Sequence, residues 1–518
     1  MPSSADTPRT LGGLLAAAAD RWPGRPAVEQ GGVRLDFADL HRQTGRAAAR
    51  LAAAGAGPGR TAVLLFDNTP DCVVAFLAAA RTGARLVPAE PGATLTQLTA
   101  LAAGADGPVL IGRAERLAAL DAAGGWPGLV VQTDGLPQAG PADRPAPAEP
   151  DGDAPFLHQF SSGSTGAPKA AVHTQHNLVQ GSLIYRSTFG YGPGDTVVAA
   201  VPLLHSFGMV AGLVTSLLTG ARLVLLGRFT PGRLLGELHR TGATVLVATP
   251  LACDLLARSA GAAAAAGPLP LRLCLSSGAA LHPATAERFA ERFGVRVSEV
   301  YGCTEAGIIA SRQPEADAGP GPDGARAPAG GVGRPVPGVE VRLVDETGAD
   351  VAPGAEGLLL VRTPAMFLGY LDRPGTTAEV LRDGWYRTGD LARLDGAGRL
   401  HLIGRKDTFV NVGGKKVNPV EVERVLLGHP LLAEAVVWGE DLPDGGQRVR
   451  ATVVATGPLT AAELGAWCRE RLQPHQVPGG VEFVAALPKS SSGKIRRAEV
   501  AEAAGDRSRT SDHGGTRS

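Results

Sequence analysis

Ser161-Ser162-Gly163-Ser164-Thr165-Gly166-Ala167-Pro168-Lys169 is the stretch on which the reading of this chain turns. It sets four hydroxyls, two glycines and a lysine within nine residues. Phe156–Phe160 before it is short and mostly apolar, and Ala170-Ala171-Val172 follows it, so the spacing predicts a tight loop between two buried strands. Such a loop turns successive backbone N–H groups inward as an anion nest. The lysine adds a point charge on a flexible stem that can follow a phosphate. A flexible Ser/Gly linker does not usually run through Pro-Lys into a strand. The stretch is also not a Walker A loop, because no Gly-Lys-Ser/Thr follows the first glycine at the required spacing.

Outward from this loop, composition narrows the class. The 518 residues suggest two or more domains, and the 44% apolar content supports large cores. Fifty basic and fifty acidic residues balance, which argues against a nucleic-acid-binding surface. Cys72, Cys253, Cys274, Cys303 and Cys468 form no CxxC pair, which fits a reducing, cytoplasmic setting and offers no metal site. Met1–Thr10 lacks the pattern of a signal peptide. Thr196–Ala221 is uncharged and long enough to span a bilayer. Its Pro202, His205, Ser206 and glycines favour a strand, a loop and a buried helix instead. Only six of the fifty basic residues are Lys: Lys169, Lys406, Lys415, Lys416, Lys489 and Lys494. They fall in three Gly-containing neighbourhoods, where a compact ammonium has a use that Arg does not serve.

Along the chain, 11–20, 38–54 and 69–82 read as helices, and 61–66 and 85–88 as strands. That alternation indicates a parallel α/β sheet with helices on both faces. Strands over 197–202, 222–226, 243–248, 271–275 and 295–300 continue the series. Residues 138–153 read as a surface connection and Ala262–Ala266 as a helix end or loop. In open α/β sheets, ligands bind at the carboxyl ends of strands. Two such ends carry Ser276-Ser277-Gly278-Ala279-Ala280 and Tyr301-Gly302-Cys303-Thr304-Glu305. From Gly330 short strands and turns indicate a β-rich subdomain. After Arg405-Lys406-Asp407 the mixed pattern restarts, with a helix over 419–427. The expected fold is α/β: a large N-terminal domain (1–404) of parallel α/β subdomains plus the small β-rich subdomain, then a small α+β C-terminal domain (409–502). Residues 503–518 read as a disordered tail.

Six stretches in this order carry a resemblance: SSGSTGAPK at 161–169, SSGAAL at 276–281, YGCTE at 301–305, WYRTGD at 385–390, GRKD at 404–407 and PKSSSGKIRR at 488–497. Each alone is weak. Together they span most of the chain, which resembles the acyl- and aryl-adenylating superfamily of acyl-CoA synthetases, peptide-synthetase adenylation domains and firefly luciferase. The resemblance implies an AMP-forming ligase. A carboxylate attacks the α-phosphorus of ATP to give acyl-AMP and pyrophosphate, and a thiol then displaces AMP. It implies ATP, Mg²⁺ and CoA, or the phosphopantetheine of a carrier protein as the alternative acceptor. It implies that Ser161, Ser162, Gly163, Ser164, Thr165, Gly166 and Lys169 cradle the β- and γ-phosphates. Thr304 would bond a phosphate oxygen and Glu305 would hold Mg²⁺. Gly278, Ala279, Ala280, Tyr301 and Gly302 would enclose adenine, and Asp390 and Arg405 would meet the ribose. Lys494 would bridge the substrate carboxylate and the α-phosphate. Asp407 would be the hinge of a mobile C-terminal domain, within 405–408, with Gly413 and Gly414 lining the thiol tunnel.

For the acid pocket the resemblance implies His205, Phe207, Gly208, Met209, Cys303, Gly307 and Ile308. Amino-acid-activating members carry Phe-Asp near this point to capture the ammonium. Here Ser206-Phe207 stands, with no acidic residue from Thr196 to Arg222. An unpaired buried ammonium is costly, so an acid without an α-amino group is expected. Departures from the family pattern are Ser164, Ala170 and the stretch NVGGKKVNP at 411–419, which leaves CoA against carrier protein open. A luciferase-like oxygenase has no specific mark here. A non-enzymatic nucleotide-binding module would not need Lys494, Glu305 and the hinge together. A membrane span and nucleic acid are not expected partners.

Overall fold

A computed structural model describes residues 7–134, 147–161, 169–259, 268–313, 331–442, 446–489 and 495–512. Ser162, Gly163, Ser164, Thr165, Gly166 and Lys494 lie outside the described residues, as do Ala262–Ala266 and the last six residues. The side chains of Ser161 and Asp407 are outside them as well.

The chain packs into two units. The first holds most of residues 1–340 together with 361–386. Among its described residues, seven strands form one sheet in the order Gly369–Tyr370, Lys169–Thr174, Pro155–Ser161, Arg85–Ala89, Thr61–Leu65, Val109–Gly112, Leu129–Gln132. The pairs among the last five are parallel. In a second sheet Thr196–Ala199, Val245–Ala248, Leu273–Ser276 and Val297–Cys303 lie side by side in parallel. Their Val, Leu and Ala runs are buried on both faces, as parallel strands covered by helices must be. A hairpin not anticipated from the sequence, Pro26–Gln30 with Val33–Asp36, closes one edge beside Arg222–Leu225. Its Glu29 carboxylate is buried against Arg34, Arg222 and Arg240.

Helix Pro70–Thr82 shows how local sequence sets these elements. The Thr69 hydroxyl accepts from the Cys72 N–H, and Pro70 fills the first turn, where its missing N–H costs nothing. Val73, Val74, Phe76 and Leu77 are all fully buried. A helix apolar all round belongs in a core. This one packs against Thr61–Leu65 and against helices Leu11–Arg21 and Phe37–Ala53. The uncharged run from Thr196 resolves as expected into a strand to Ala199, a loop, a π-helix over Gly208–Val214 and an α-helix over Thr215–Thr219. No helix of the described residues is long and apolar enough to cross a membrane.

The second unit holds 341–360 and the described residues from 387 onward. The β-rich strands follow the order Glu340–Val344, Glu356–Arg362, Trp385–Leu394, Leu400–Arg405. Further on, Leu432–Asp441, Gln447–Ala455 and Gly480–Phe483 form a sheet. Helices Pro419–Leu427 and Ala461–Arg469 contribute Val422, Leu426 and Leu464 to its core. The boundary at 405–408 read from the sequence lies inside this packing unit. A correction concerns the tail: helix Arg497–Asp512 runs through the first part of 503–518. Its first turns are anchored by buried Val500 and Ala504, and Val500 packs with Val436 and Leu487. The Ala- and Glu-rich stretch 498–504 favours helix, and the helix then continues through the polar residues 505–512, whose composition alone reads as unstructured.

Candidate active site

The carboxyl ends of strands from both sheets of the first unit carry a part of the singled-out residues. Ser161 ends one strand and Lys169 begins the next, and the two are paired across the ladder. The loop 161–169 therefore springs from a closed antiparallel base, as its flanking apolar runs predict. Lys169 Nζ lies 5.4 Å from the centre of the Tyr370 ring. Gly369–Tyr370 is held there as a two-residue strand pairing with Ala171 and Val172.

Tyr370 donates its hydroxyl to Glu305 Oε1 at 2.8 Å. Glu305 is buried. Tyr386 in turn donates to Tyr370, and Phe367 meets both rings edge-on, at 5.1 and 5.4 Å between centroids. Burial raises both phenols above their ordinary range, so each stays a donor. The Phe367 N–H donates to the Glu305 carbonyl at 2.8 Å, which fixes the backbone as well. Thr304 is fixed by His173, whose Nε2 lies 2.8 Å from the Thr304 carbonyl. A carbonyl only accepts, so Nε2 carries the proton. Nδ1 is buried without a hydrogen-bond partner among the described residues.

Burial is the main cause that lowers His173 to about 4, against the Thr304 carbonyl, which favours the proton. In the unfolded chain the ring titrates near 6.5. The unfolded state then takes up the proton first. The stability that His173 contributes is present above about pH 6.5 and is lost as pH falls toward 4. His173→Gln keeps an N–H donor without the titration. It is expected to flatten the thermal midpoint between pH 6.5 and 4.5 relative to the parent protein, and an unchanged slope would exclude His173 as the cause.

Gly278, Ala279 and Ala280 are exposed just past Leu273–Ser276. Ser277 Oγ donates to the Val300 carbonyl at 2.8 Å, tying this segment to the strand that carries Tyr301. At Gly302 a β-bulge interrupts the pairing of Val297–Cys303 with Gly307–Arg312. A Cβ at Gly302 would sit 2.2 Å from the Gly307 carbonyl oxygen, so no larger residue fits. This bulge brings Cys303 opposite Gly307 and Gly302 opposite Ile308.

The loop before the π-helix is tied to the seven-stranded sheet. Gln159, buried on the strand ahead of the phosphate loop, donates to the Leu204 carbonyl at 2.7 Å and accepts from Ser206 Oγ at 2.6 Å. Asn68, past the end of Thr61–Leu65, donates to the Val201 carbonyl at 3.0 Å and accepts from the Leu203 N–H at 2.9 Å. His205 between them is held mainly neutral by burial, with Glu90 opposing, its Oε1 3.9 Å from Nε2. Phe207 is partly exposed, while Gly208 and Met209 are buried in the first turn of the π-helix. The acidic residue near His205 thus follows another strand, Arg85–Ala89, and lies outside the 196–222 run, which holds no acidic residue.

In the second unit, Asp390 and Arg405 are opposite each other in the ladder, with Nε 3.9 Å from Oδ1. Asp407 lies in the 3₁₀ turn Lys406–Thr408, which directly follows Arg405. Gly413 and Gly414 form the two-residue turn between Val410–Val412 and Lys415–Val417, with φ of +56° and +83°. Both values lie in the left-handed region that such a hairpin turn demands. No group of three or more His, Cys, Asp or Glu residues suited to a metal occurs among the described residues. All five cysteines are free.

A profile of AMP-binding enzymes matches residues 15–371, well over half of the chain. This chain belongs to the AMP-binding enzyme family. A profile of the AMP-binding enzyme C-terminal domain matches residues 421–494. Among family relatives, oxalate–CoA ligase of Arabidopsis thaliana is 33% identical over 514 residues, covering 95% of this chain and 98% of that one. Feruloyl-CoA synthase of an Amycolatopsis species is 32% identical, with 95% and 98% covered. The amide bond synthetase McbA of Marinactinospora thermotolerans superposes with a TM-score of 0.82 at 30% identity, over 95% of this chain and 99% of that one. The mixed α/β fold with a large N-terminal and a small C-terminal domain is the family's.

Sequence reasoning missed Tyr370, Tyr386, His173, Gln159, Asn68 and Glu90. Of these, Tyr386 alone falls within a quoted motif, WYRTGD at 385–390, and the others lie outside the motifs.

Proposed function

We propose that this chain is an ATP-dependent acid–CoA ligase for a carboxylic acid without an α-amino group. One acid oxygen bonds to the α-phosphorus of ATP as the bond to the β-phosphate breaks. The CoA sulfur then bonds to the acyl carbon, and AMP leaves with the electron pair. The observation that carries this reading is the cluster of Lys169, Tyr370 and Glu305 at the mouth of the Ser/Gly loop.

Loop N–H groups and Lys169 bind the phosphates that depart, where negative charge accumulates. Glu305, a buried carboxylate with one oxygen accepting from Tyr370, fits a single protein ligand to Mg²⁺ beside phosphate oxygens. That ion, when bound, neutralises phosphate charge. Gly278, Ala279, Ala280, Tyr301 and Gly302 receive the adenine, and Asp390 with Arg405 receives the ribose. Phe207, Gly208, Met209, Cys303, Gly307 and Ile308 line the acid pocket, with His205 beside the carboxylate. Lys494 bridges the acid and the α-phosphate, Asp407 is the pivot, and Gly413-Gly414 accompanies the incoming thiol. The absence of an acidic residue over 196–222 supports an acid without an ammonium group, and Glu90 is already faced by His205.

The test is pyrophosphate release with ATP across aryl, dicarboxylic, fatty and amino acids. Product analysis then follows with CoA, a phosphopantetheinylated carrier protein or a simple amine. Acyl-CoA and AMP formed together support the reading. Discharge of acyl-AMP only by the carrier protein, or only by the amine, replaces CoA as the acceptor. A preference for amino acids rejects the substrate class.

Tyr370→Phe tests the cluster. It removes the donor to Glu305 while keeping the ring near Lys169. Acyl-AMP formation is expected to fall about 10-fold, with a higher Mg²⁺ concentration needed for half-maximal rate. An unchanged Mg²⁺ requirement would separate Tyr370 from the function of Glu305.

A further inference from the structure

Lys489 is one of only six lysines and has no part in the chemistry above. Its Nζ lies 2.8 Å from Glu434 Oε2, on strand Leu432–Asp441. Lys489 and Ile495 form an antiparallel bridge, and the Arg496 N–H donates to the Pro488 carbonyl at 2.9 Å. The described residues that flank Lys494 are therefore held together in one closed neck. On the other side of that neck, Arg497 grips Glu423 of helix Pro419–Leu427 with both terminal nitrogens, Nη2 to Oε2 at 2.7 Å. Glu423 is buried and also accepts the Val437 N–H at 2.8 Å, next to the core that holds Ile495.

We infer that the pairs Arg497–Glu423 and Lys489–Glu434 are positioning elements for adenylation, fixing the two ends of the segment that presents Lys494. The inference rests on the reading of Lys494 as the adenylation lysine. A planar guanidinium engaging both carboxylate oxygens sets direction as well as distance, which a lysine ammonium does not. Two anchors on two different elements, a helix and a strand, leave the neck little freedom to tilt. A misplacement of about 1 Å at a reacting group can cost on the order of 10²-fold.

The experiment compares Arg497→Lys, Lys489→Gln and Lys494→Ala in the full chain. Arg497→Lys keeps a cation beside Glu423, so the buried carboxylate is not stranded. Three readouts are taken: pyrophosphate release, thioester formation from supplied acyl-AMP and CoA, and the thermal midpoint. For Arg497→Lys, release is expected to fall about 10-fold or more, with thioester formation within about twofold and little change in midpoint. Lys489→Gln is expected to follow the same split more weakly. Equal losses in both half-reactions with a lowered midpoint overturn the inference, because the pairs then only hold the domain together. Unchanged release in Arg497→Lys while Lys494→Ala is impaired overturns the inference alone. Unchanged release in Lys494→Ala overturns the reading of Lys494 and the inference with it.

Discussion

Lys494→Ala is expected to slow acyl-AMP formation by on the order of 10²–10⁴ while leaving acid binding nearly intact. The first half-reaction brings a carboxylate toward a polyphosphate, and its barrier is dominated by like charge. A cation shared between the attacking oxygen and the α-phosphate stabilises the transition state more than either separated reactant. In a chain that otherwise uses Arg, a lysine in Ser-Ser-Ser-Gly-Lys is a compact charge on a flexible stem. Burst measurements of pyrophosphate should show the loss in the chemical step, with the KM for the acid changing far less. Near-parental release by the variant would remove Lys494 from the adenylation chemistry.

Asp407→Pro is expected to split the two half-reactions the other way. The 3₁₀ turn Lys406–Thr408 leads straight from Arg405, and Thr408 Oγ1 donates back to the Arg405 carbonyl at 3.1 Å. A change of φ and ψ at one residue of so short a turn redirects everything after it. Proline fixes φ near roughly −65° and also restricts Lys406. Adenylation should persist at a reduced rate, and thioester formation from supplied acyl-AMP should fall further, by on the order of 10². Single-turnover kinetics of each step decide it. Equal losses in both, or none in either, would move the pivot elsewhere.

Much of the fold and of the proposed site was legible because the residues concerned sit on contiguous stretches at strand ends. Ser161 to Lys169, Ser276 to Ala280 and Tyr301 to Glu305 each combine a buried run with small or polar residues directly after it. Helix Pro70–Thr82 announced itself through Thr69, Pro70 and an apolar run. The supporting residues were not legible for a common reason. Tyr370 reaches Glu305 across 65 positions, His173 reaches Thr304 across 131 and Asn68 reaches Val201 across 133. In each case an ordinary residue acquires its role only when two distant strands become neighbours. The hairpin Pro26–Asp36 escaped because its second strand is mostly exposed, so its pattern lacks a buried face. The helix over 503–512 escaped because its composition is that of a solvated segment, while its anchors lie earlier in the chain.

The π-helix Gly208–Val214 has a bearing on how such a protein can change over generations. A π segment amounts to one residue inserted into an α-helix and retained. Loss of a single codon there would let the backbone relax into ordinary helical winding. Every side chain before the deletion, including Phe207 in the proposed pocket wall, would then turn by about 100° relative to Thr215–Thr219. Exchange of one apolar residue for another trims such a wall, whereas a one-residue indel replaces which side chains compose it. This short helix is thus a place where acid preference can jump in one genetic step, while the strand ends proposed to receive ATP stay as they are.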